Sequence, residues 1–222
     1  MTETLRPQAA PAPAGGLRAR NKADKLRRLR EAARDLFIEH GYDETTMQNI
    51  AKRADIGFGT LFTYVSDKRD LLFLIFNDDL DTTVDTAFEN ATAKRIFLEQ
   101  LIAYFEAFYR FFLPQPELSR LVLREMTFYL KGRQAEQFHA GCARINRYLA
   151  SLAETAQAAG TLGTQESPVI LAQALMSTFA HELRRWIGAE DPELSKGLAR
   201  LRRMLALQIA GFQPRQGALG RR

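Results

Sequence analysis

The sequence predicts an all-α protein of about nine helices, an expectation carried by three observations. Its 222 residues include 31 Ala and 29 Leu against only four Val, so strong helix formers dominate and the β-branched residues that sheets favour are scarce. Apolar side chains recur at spacings of three and four along most of the chain. Gly, Pro and short polar residues fall where those stripes begin and end, as helix caps do. A chain of this length buries a core without disulfides or metal.

Residues 1–20 are rich in Pro, Ala and Gly, too poor in large apolar side chains to fold alone, and are expected to form a flexible tail. Asn21 offers an N-cap to a helix over about 22–40, with Leu26, Leu29, Ala33, Leu36 and Phe37 inward and Gly41 closing it. Thr45-Thr46-Met47-Gln48 has the form of a capping box and opens a short helix to Arg53. After a turn at Ala54-Asp55-Ile56-Gly57, a second short helix is expected over about 57–63, anchored by Ile56, Leu61 and Phe62. Ser66 and Asp67 then cap a long helix to about Phe88. Four of the remaining spans are about 94–112, Pro116 to near Gly132, 133–159, and Pro168 to Gly188. The last runs from Asp191-Pro192 to near Gly211. The expected organisation is a tail at 1–20, a small N-terminal helical module at 21–66, a larger helical body at 67–213 and a flexible C-terminal tail at 214–222.

Several function classes are disfavoured at once. The longest apolar run is Leu71 to Phe76, so no membrane span is expected. The N-terminus lacks the apolar stretch of a secretory leader. One cysteine, Cys142, makes no intrachain disulfide and suits a reducing cytoplasm. His40, His139 and His181 lie far apart with no metal-ligand spacing, so neither a metal nor a cofactor is expected. No nucleophile-base set or glycine-rich phosphate loop speaks for an enzyme.

The net charge is only +5, but Arg18 to Arg34 hold eight basic residues against Asp24 and Glu31. That segment is where an anionic partner would be sought, and it reads equally as a solvated helix face. Two short helices joined by a tight turn make a helix-turn-helix candidate. On its second helix, Phe58, Gly59, Thr60 and Thr63 form an outer face of small and polar groups able to meet base edges.

The stretch TTMQNIAKRADIGFGTLFTYVSDKRDLL, from Thr45 to Leu72, resembles the tetracycline-repressor (TetR) family of bacterial transcriptional regulators. The resemblance extends back through LFIEHGY at Leu36 to Tyr42. It implies a ligand-responsive DNA-binding regulator, most simply a repressor released from a pseudo-palindromic operator by a small apolar or aromatic inducer, acting as a cytoplasmic homodimer. It further implies that Thr46, Tyr64 and Lys68 hold phosphates, although Tyr64 suits the core equally and Lys68 also reads as a solvated lysine. Arg18 and Arg20 on the tail are candidates for a minor-groove arm. Two positions depart from the family pattern: Asp55 stands in place of the usual turn glycine, and Gly57 in place of a Ser or Thr cap.

In the body, nine of the chain's 22 aromatics fall between Phe97 and Tyr129. Such spacing commonly means plain core. Phe105, Phe108, Phe112, Met126 and Tyr129, with Phe138, His139 and Cys142 across on the next helix, also suit the lining of an apolar ligand cavity. The last two helices carry long apolar stripes, Leu175, Phe179, Leu183 and Trp186 on one and Leu198, Leu201, Leu205 and Ile209 on the other. By the resemblance these form a four-helix dimer interface; otherwise they close the monomer core. The rivals to a regulator are a helical carrier or enzyme using the aromatic cavity directly, and a membrane-surface protein using the basic helix.

Overall fold

In the computed structural model, residues 16–212 are described, and among them nine α-helices and no strand occur. α1 is Leu17–His40, α2 Met47–Arg53 and α3 Phe58–Leu61. α4 is Lys68–Thr92, α5 Phe97–Phe112 and α6 Pro116–Glu125, the last running into a 3-10 turn at Met126–Phe128. α7 is Ala135–Ala158, α8 Pro168–Ile187 and α9 Leu194–Gly211. No described helix is long and apolar enough to cross a membrane.

α1 begins at Leu17, ahead of the expected start near 22, so Arg18 and Arg20 are carried on a helix and not on a tail. The Gly16 carbonyl accepts the first helical bonds, from the amides of Ala19 and Arg20 at 2.8 and 3.3 Å. Residues 1–15 of the tail expected at 1–20, and the tail expected at 214–222, lie outside the described residues. α1, α2 and α3 share a small core in which Leu29, Ala33, Ile50, Leu61 and Val65 are fully buried. Its corner is tied by Thr45, whose hydroxyl reaches the Leu36 and Gly41 carbonyls at 3.0 and 2.7 Å, while Thr46 caps α2 by accepting the Asn49 amide at 3.1 Å.

The body is built around α4, which packs against α1, α5 and α7; α8 lies against α7, and α9 closes over α5 and α8. α5 brings aromatic side chains inward, and Phe105 stacks on Phe179 with ring centroids 4.3 Å apart. This packing places most of the expected dimer stripes inside the protomer. Leu175, Phe179, Leu183, Trp186, Leu201 and Leu205 are buried within the protomer, and Leu198 and Ile209 are half-buried against the same core. A helix wedged between α7 and α9 spends its apolar stripe on them, so the outward side of α8 is the other one.

Asp70, in the first turn of α4, holds head and body together. Its buried carboxylate accepts the amides of Ser66 at 2.7 Å, Arg133 at 2.9 Å and Gln134 at 3.0 Å, and the Tyr129 hydroxyl. It therefore caps the start of α4 and the start of α7 at once. Gly132 passes so close, at φ +155°, that a Cβ there would meet Asp70 Oδ1 and the Tyr129 hydroxyl at 2.5 Å.

Gly197 allows α9 its closest approach: a Cβ on it would lie 2.7 Å from Trp186 Cδ1 and from Tyr109 Cε1. Gly197→Ala is expected to lower stability by about 1–3 kcal/mol, the usual penalty of overpacking. Chemical denaturation checks it, since a plain helix-propensity effect would raise stability instead.

Candidate nucleic-acid interface and ligand cavity

α3 is a single turn that ends earlier than expected, and its sequence explains its two faces. Leu61 is fully buried and anchors it, while Phe58, Gly59 and Thr63 face outward and Thr60 is half-buried. Phe62, expected as an anchor, is instead exposed and packs edge-on against Phe58 with centroids 5.2 Å apart. With Leu61 directed into the core, its neighbour Phe62 is turned outward. A Cβ on Gly59 would meet nothing within 4 Å, so the glycine leaves free space at the middle of the exposed face. Thr63 donates to the Thr60 carbonyl at 2.7 Å, and Thr46 is exposed at the start of α2. Tyr64 is half-buried, with its carbonyl accepting the Gln134 side-chain amide at 3.2 Å.

Lys68 is not turned to the exposed face. Its ammonium donates to the carbonyls of Tyr42 at 2.7 Å, Asp43 at 3.2 Å and Thr45 at 3.1 Å, and lies 4.5 Å from the centroid of the Tyr42 ring. All three of its protons are used. Burial, together with the nearby Glu125 and Asp67 charges, pushes the Tyr42 phenol up to about 12, so the ring stays neutral beneath that cation.

A cavity of about 300 Å³ lies in the body between α5, α7 and α8. Phe108, Phe112, Met126, Tyr129, Phe138, His139 and Cys142 line it as expected; Phe105 does not, because it sits behind Phe179. Reading the sequence missed Met176, Phe179 and Leu183, which form the α8 wall, and Arg184, which lines it as an exposed cation. The Arg184 guanidinium reaches Thr127 Oγ1 at 3.5 Å and the Ala180 carbonyl at 3.3 Å, with no carboxylate partner among the described residues. Burial raises the pKa of the Cys142 thiol, so it stays protonated at neutral pH. A second cleft, of about 550 Å³, runs between Phe37–Asp43 and Pro114–Arg124, open to solvent where head meets body.

Residues 29–75 match the family model described as bacterial regulatory proteins, tetR family. The chain is also 39% identical over 61 residues to an HTH-type transcriptional regulator of Staphylococcus aureus strain bovine RF122, a match covering 28% of this chain and 33% of that protein. The chain thus spans about a third of the length of the curated relatives it matches. Solved structures of similar fold extend over nearly the whole body. Thermus thermophilus FadR, a TetR-family transcriptional repressor in complex with lauroyl-CoA, aligns with TM-score 0.65 at 20% identity, covering 88% of this chain and 98% of that one. Bacillus subtilis FadR in complex with stearoyl-CoA aligns with TM-score 0.66 at 17% identity, covering 83% and 98%. The tetR-family match therefore covers the head of the chain, residues 29–75, and the solved structures share the fold of the whole.

Both departures from the TetR pattern fit the geometry. Asp55 adopts φ 50°, the left-handed turn that glycine usually serves and that aspartate tolerates. Arg28 answers it with contacts to the Asp55 carboxylate at 3.1 Å and carbonyl at 3.2 Å, which offsets a negative charge beside the reading helix. Gly57 caps α3 without a side-chain bond.

The basic face of α1 divides in two. Arg27 pairs with Asp24 and Glu31, Arg30 lies against Asp78, and Arg34 is 2.8 Å from Asp79, so these cations are committed to α1 itself and to the seam with α4. Arg20, Lys22 and Lys25 have no ion-pair partner among the described residues. A flexible arm at Arg18 and Arg20 is not what the backbone provides; both positions lie in the first turns of α1.

In this structure the donors of Lys68 are taken up by the α1–α2 corner, which gives it a structural role beside the phosphate contact expected of it. Lys68→Ala is expected to leave three carbonyls without their partner and to destabilise the TetR-type head by about 1.5–3 kcal/mol. Denaturant unfolding without DNA measures it; an unchanged midpoint would return Lys68 to solvent.

Proposed function

We propose that the chain is a homodimeric transcriptional repressor that holds a pseudo-palindromic operator and releases it when an amphipathic, long-chain acyl ligand fills the α5–α7–α8 cavity. The observation that carries the DNA-binding half is the outward face formed by Phe58 and Gly59 of α3 with Phe62 and Thr63 just past it, half-buried Thr60 beside them and buried Leu61 behind. Small and polar groups there suit a major groove: Thr60 and Thr63 can reach base edges, and the two phenyl rings suit thymine methyls. Thr46, Arg20, Lys22 and Lys25 supply hydroxyls and cations to flanking phosphates.

The ligand class rests on the cavity and on the relatives. Its walls are aromatic and aliphatic, while Arg184, His139 and Thr127 offer polar and charged groups. That combination suits a chain with an anionic or carbonyl head, and lauroyl-CoA and stearoyl-CoA are what the two FadR structures hold. For dimerisation, the outward sides of α8 and α9 carry exposed Ile170, Gln173, Ser177 and His181, and Arg203 and Leu207. Leu207 is 70% exposed, an unusual position for a leucine unless a partner covers it. A two-fold axis through this face would set two reading heads on half-sites about 34 Å, or one helical turn, apart.

An operator selected from randomised duplex DNA is the first test. The expected complex weakens steeply with salt and loses affinity on addition of lauroyl-CoA; sequence-independent binding, or indifference to every acyl-CoA tried, would sink this reading. Gly59→Ala is expected to keep or slightly raise the unfolding midpoint while lowering operator affinity at least about tenfold, because the added methyl takes the space left for DNA.

Dimerisation has its own check. Leu207→Glu is expected to shift sedimentation from dimer to monomer at micromolar concentration; a wild-type monomer under the same conditions would refute the two-fold arrangement.

A further inference from the structure

We propose that Tyr129 is the residue through which occupancy of the cavity reaches the reading head. Its ring is part of the cavity wall, and its hydroxyl donates to the Asp70 carboxylate. Among the described residues no other side chain both lines that cavity and bonds Asp70. The ring lies flat on Phe73 of α4, centroids 3.5 Å apart and planes within 4°, and meets the Phe138 edge at 5.7 Å. The Arg69 guanidinium stands 5.4 Å from the ring on another side and bonds to Glu125 at the end of α6. The ring is thus boxed in by α4 and α7, and the cavity is where free volume adjoins it.

The chain around Tyr129 has the form of a pivot. From Thr127 to Arg133 every residue but Tyr129 is exposed, and its neighbours Phe128 and Leu130 are 75% and 72% exposed. This segment is therefore fixed to the core by one buried side chain. It leads directly to the two amides, of Arg133 and Gln134, that Asp70 accepts, and Gln134 holds the Tyr64 carbonyl just past the reading helix. An occupant that displaces the ring draws the hydroxyl off Asp70. The shared cap of α4 and α7 then weakens, and the restraint on Ser66 and Tyr64 weakens with it. Gly132 leaves no slack for the segment to absorb the motion, since even a methyl there would collide with both ends of the bond.

The proposal depends on the functional reading above only for what fills the cavity in nature, and its test needs neither that ligand nor DNA. Cys142 is the only cysteine and lines the cavity, so alkylating it with N-hexylmaleimide at alkaline pH, where the raised thiol ionises, places an occupant there covalently. Mass spectrometry confirms complete modification. Amide hydrogen exchange at Ser66, Arg133 and Gln134 is then read in the wild type, expected to be about tenfold faster or more after alkylation, the weight of one hydrogen bond to a charged group. Tyr129→Phe keeps the ring and removes the hydroxyl; it is expected to show that acceleration unmodified, with alkylation adding less than about twofold. Unchanged exchange in the alkylated wild type overturns the proposal, as does an equal further acceleration in Tyr129→Phe. Should the variant fail to fold, the wild-type arm decides alone. Loss of operator or acyl-CoA binding enters none of these readouts, so failure of the functional reading would be seen separately.

Discussion

The carboxylate of Asp70 is the constraint on which the rest of this molecule depends. A buried carboxylate is tolerated only where its charge is answered, and here three backbone amides and one phenol surround it. The amides flank two different helix starts, so the positive ends of the α4 and α7 dipoles converge on one anion. That convergence sets the angle between the helix that leaves the head and the helix that lines the cavity. Each end satisfies donors that would otherwise be buried without a partner, and neither helix can shift alone without leaving some of them orphaned.

Charge does a second, more distributed job along α1. Counted along the sequence, its cations looked like an attraction for polyanions. Folded, Arg30 and Arg34 face Asp78 and Asp79 of α4, and Arg30 also bonds the Leu74 carbonyl at 2.9 Å. Exposed pairs of this kind add little stability individually, but as a row they fix the register of α1 against α4. Lys68 belongs to the same scheme, its ammonium closing the α1–α2 corner from the first residue of α4. The head is thus held to α4 at three places: its N-terminal cap, its first lysine and its middle acids. On the proposed reading, attraction to DNA is left to the far end of α1 and to the exposed hydroxyls of Thr46 and Thr63.

The helices were legible because a periodic stripe and a capping residue are local signals. Thr46, Asp67 and Ser167 cap where their side chains suggested, each accepting the amide three residues on. The cavity was legible for a related reason: α5 and α7 flank it, and their aromatic stripes face each other across it. What could not be read is which neighbour a stripe meets. Phe179 and Leu183 look the same on paper whether they face a second subunit or a cavity, and only the wedging of α8 between α7 and α9 decides. The corner that Lys68 closes could not be read for a similar reason, since no local pattern reveals that three carbonyls from twenty-odd residues earlier converge on it. Arg184 and Asp70 carried no signal of their own, because an arginine or an aspartate on a helix is ordinarily solvated.

α8 has two faces with separate duties, and that bears on how a body cavity can govern a DNA head. Its inner face, Met176, Phe179 and Leu183, touches whatever fills the cavity; its outer face, from Ile170 to His181, is the one proposed to meet a second subunit. On that proposal a ligand would press on two things at once, the dimer helix on one wall and Tyr129 on another. Motion of the first changes the angle between protomers, and release of the second changes the angle of each head on its own body. Operator half-sites tolerate neither, because both alter the spacing of the two α3 turns along the groove. A differential of 1–3 kcal/mol, typical of such coupling, is within reach of one charged hydrogen bond and modest repacking. The Asp70 joint is stiff enough to transmit that strain because three of its four partners are backbone amides, which cannot swing aside as the Tyr129 side chain does.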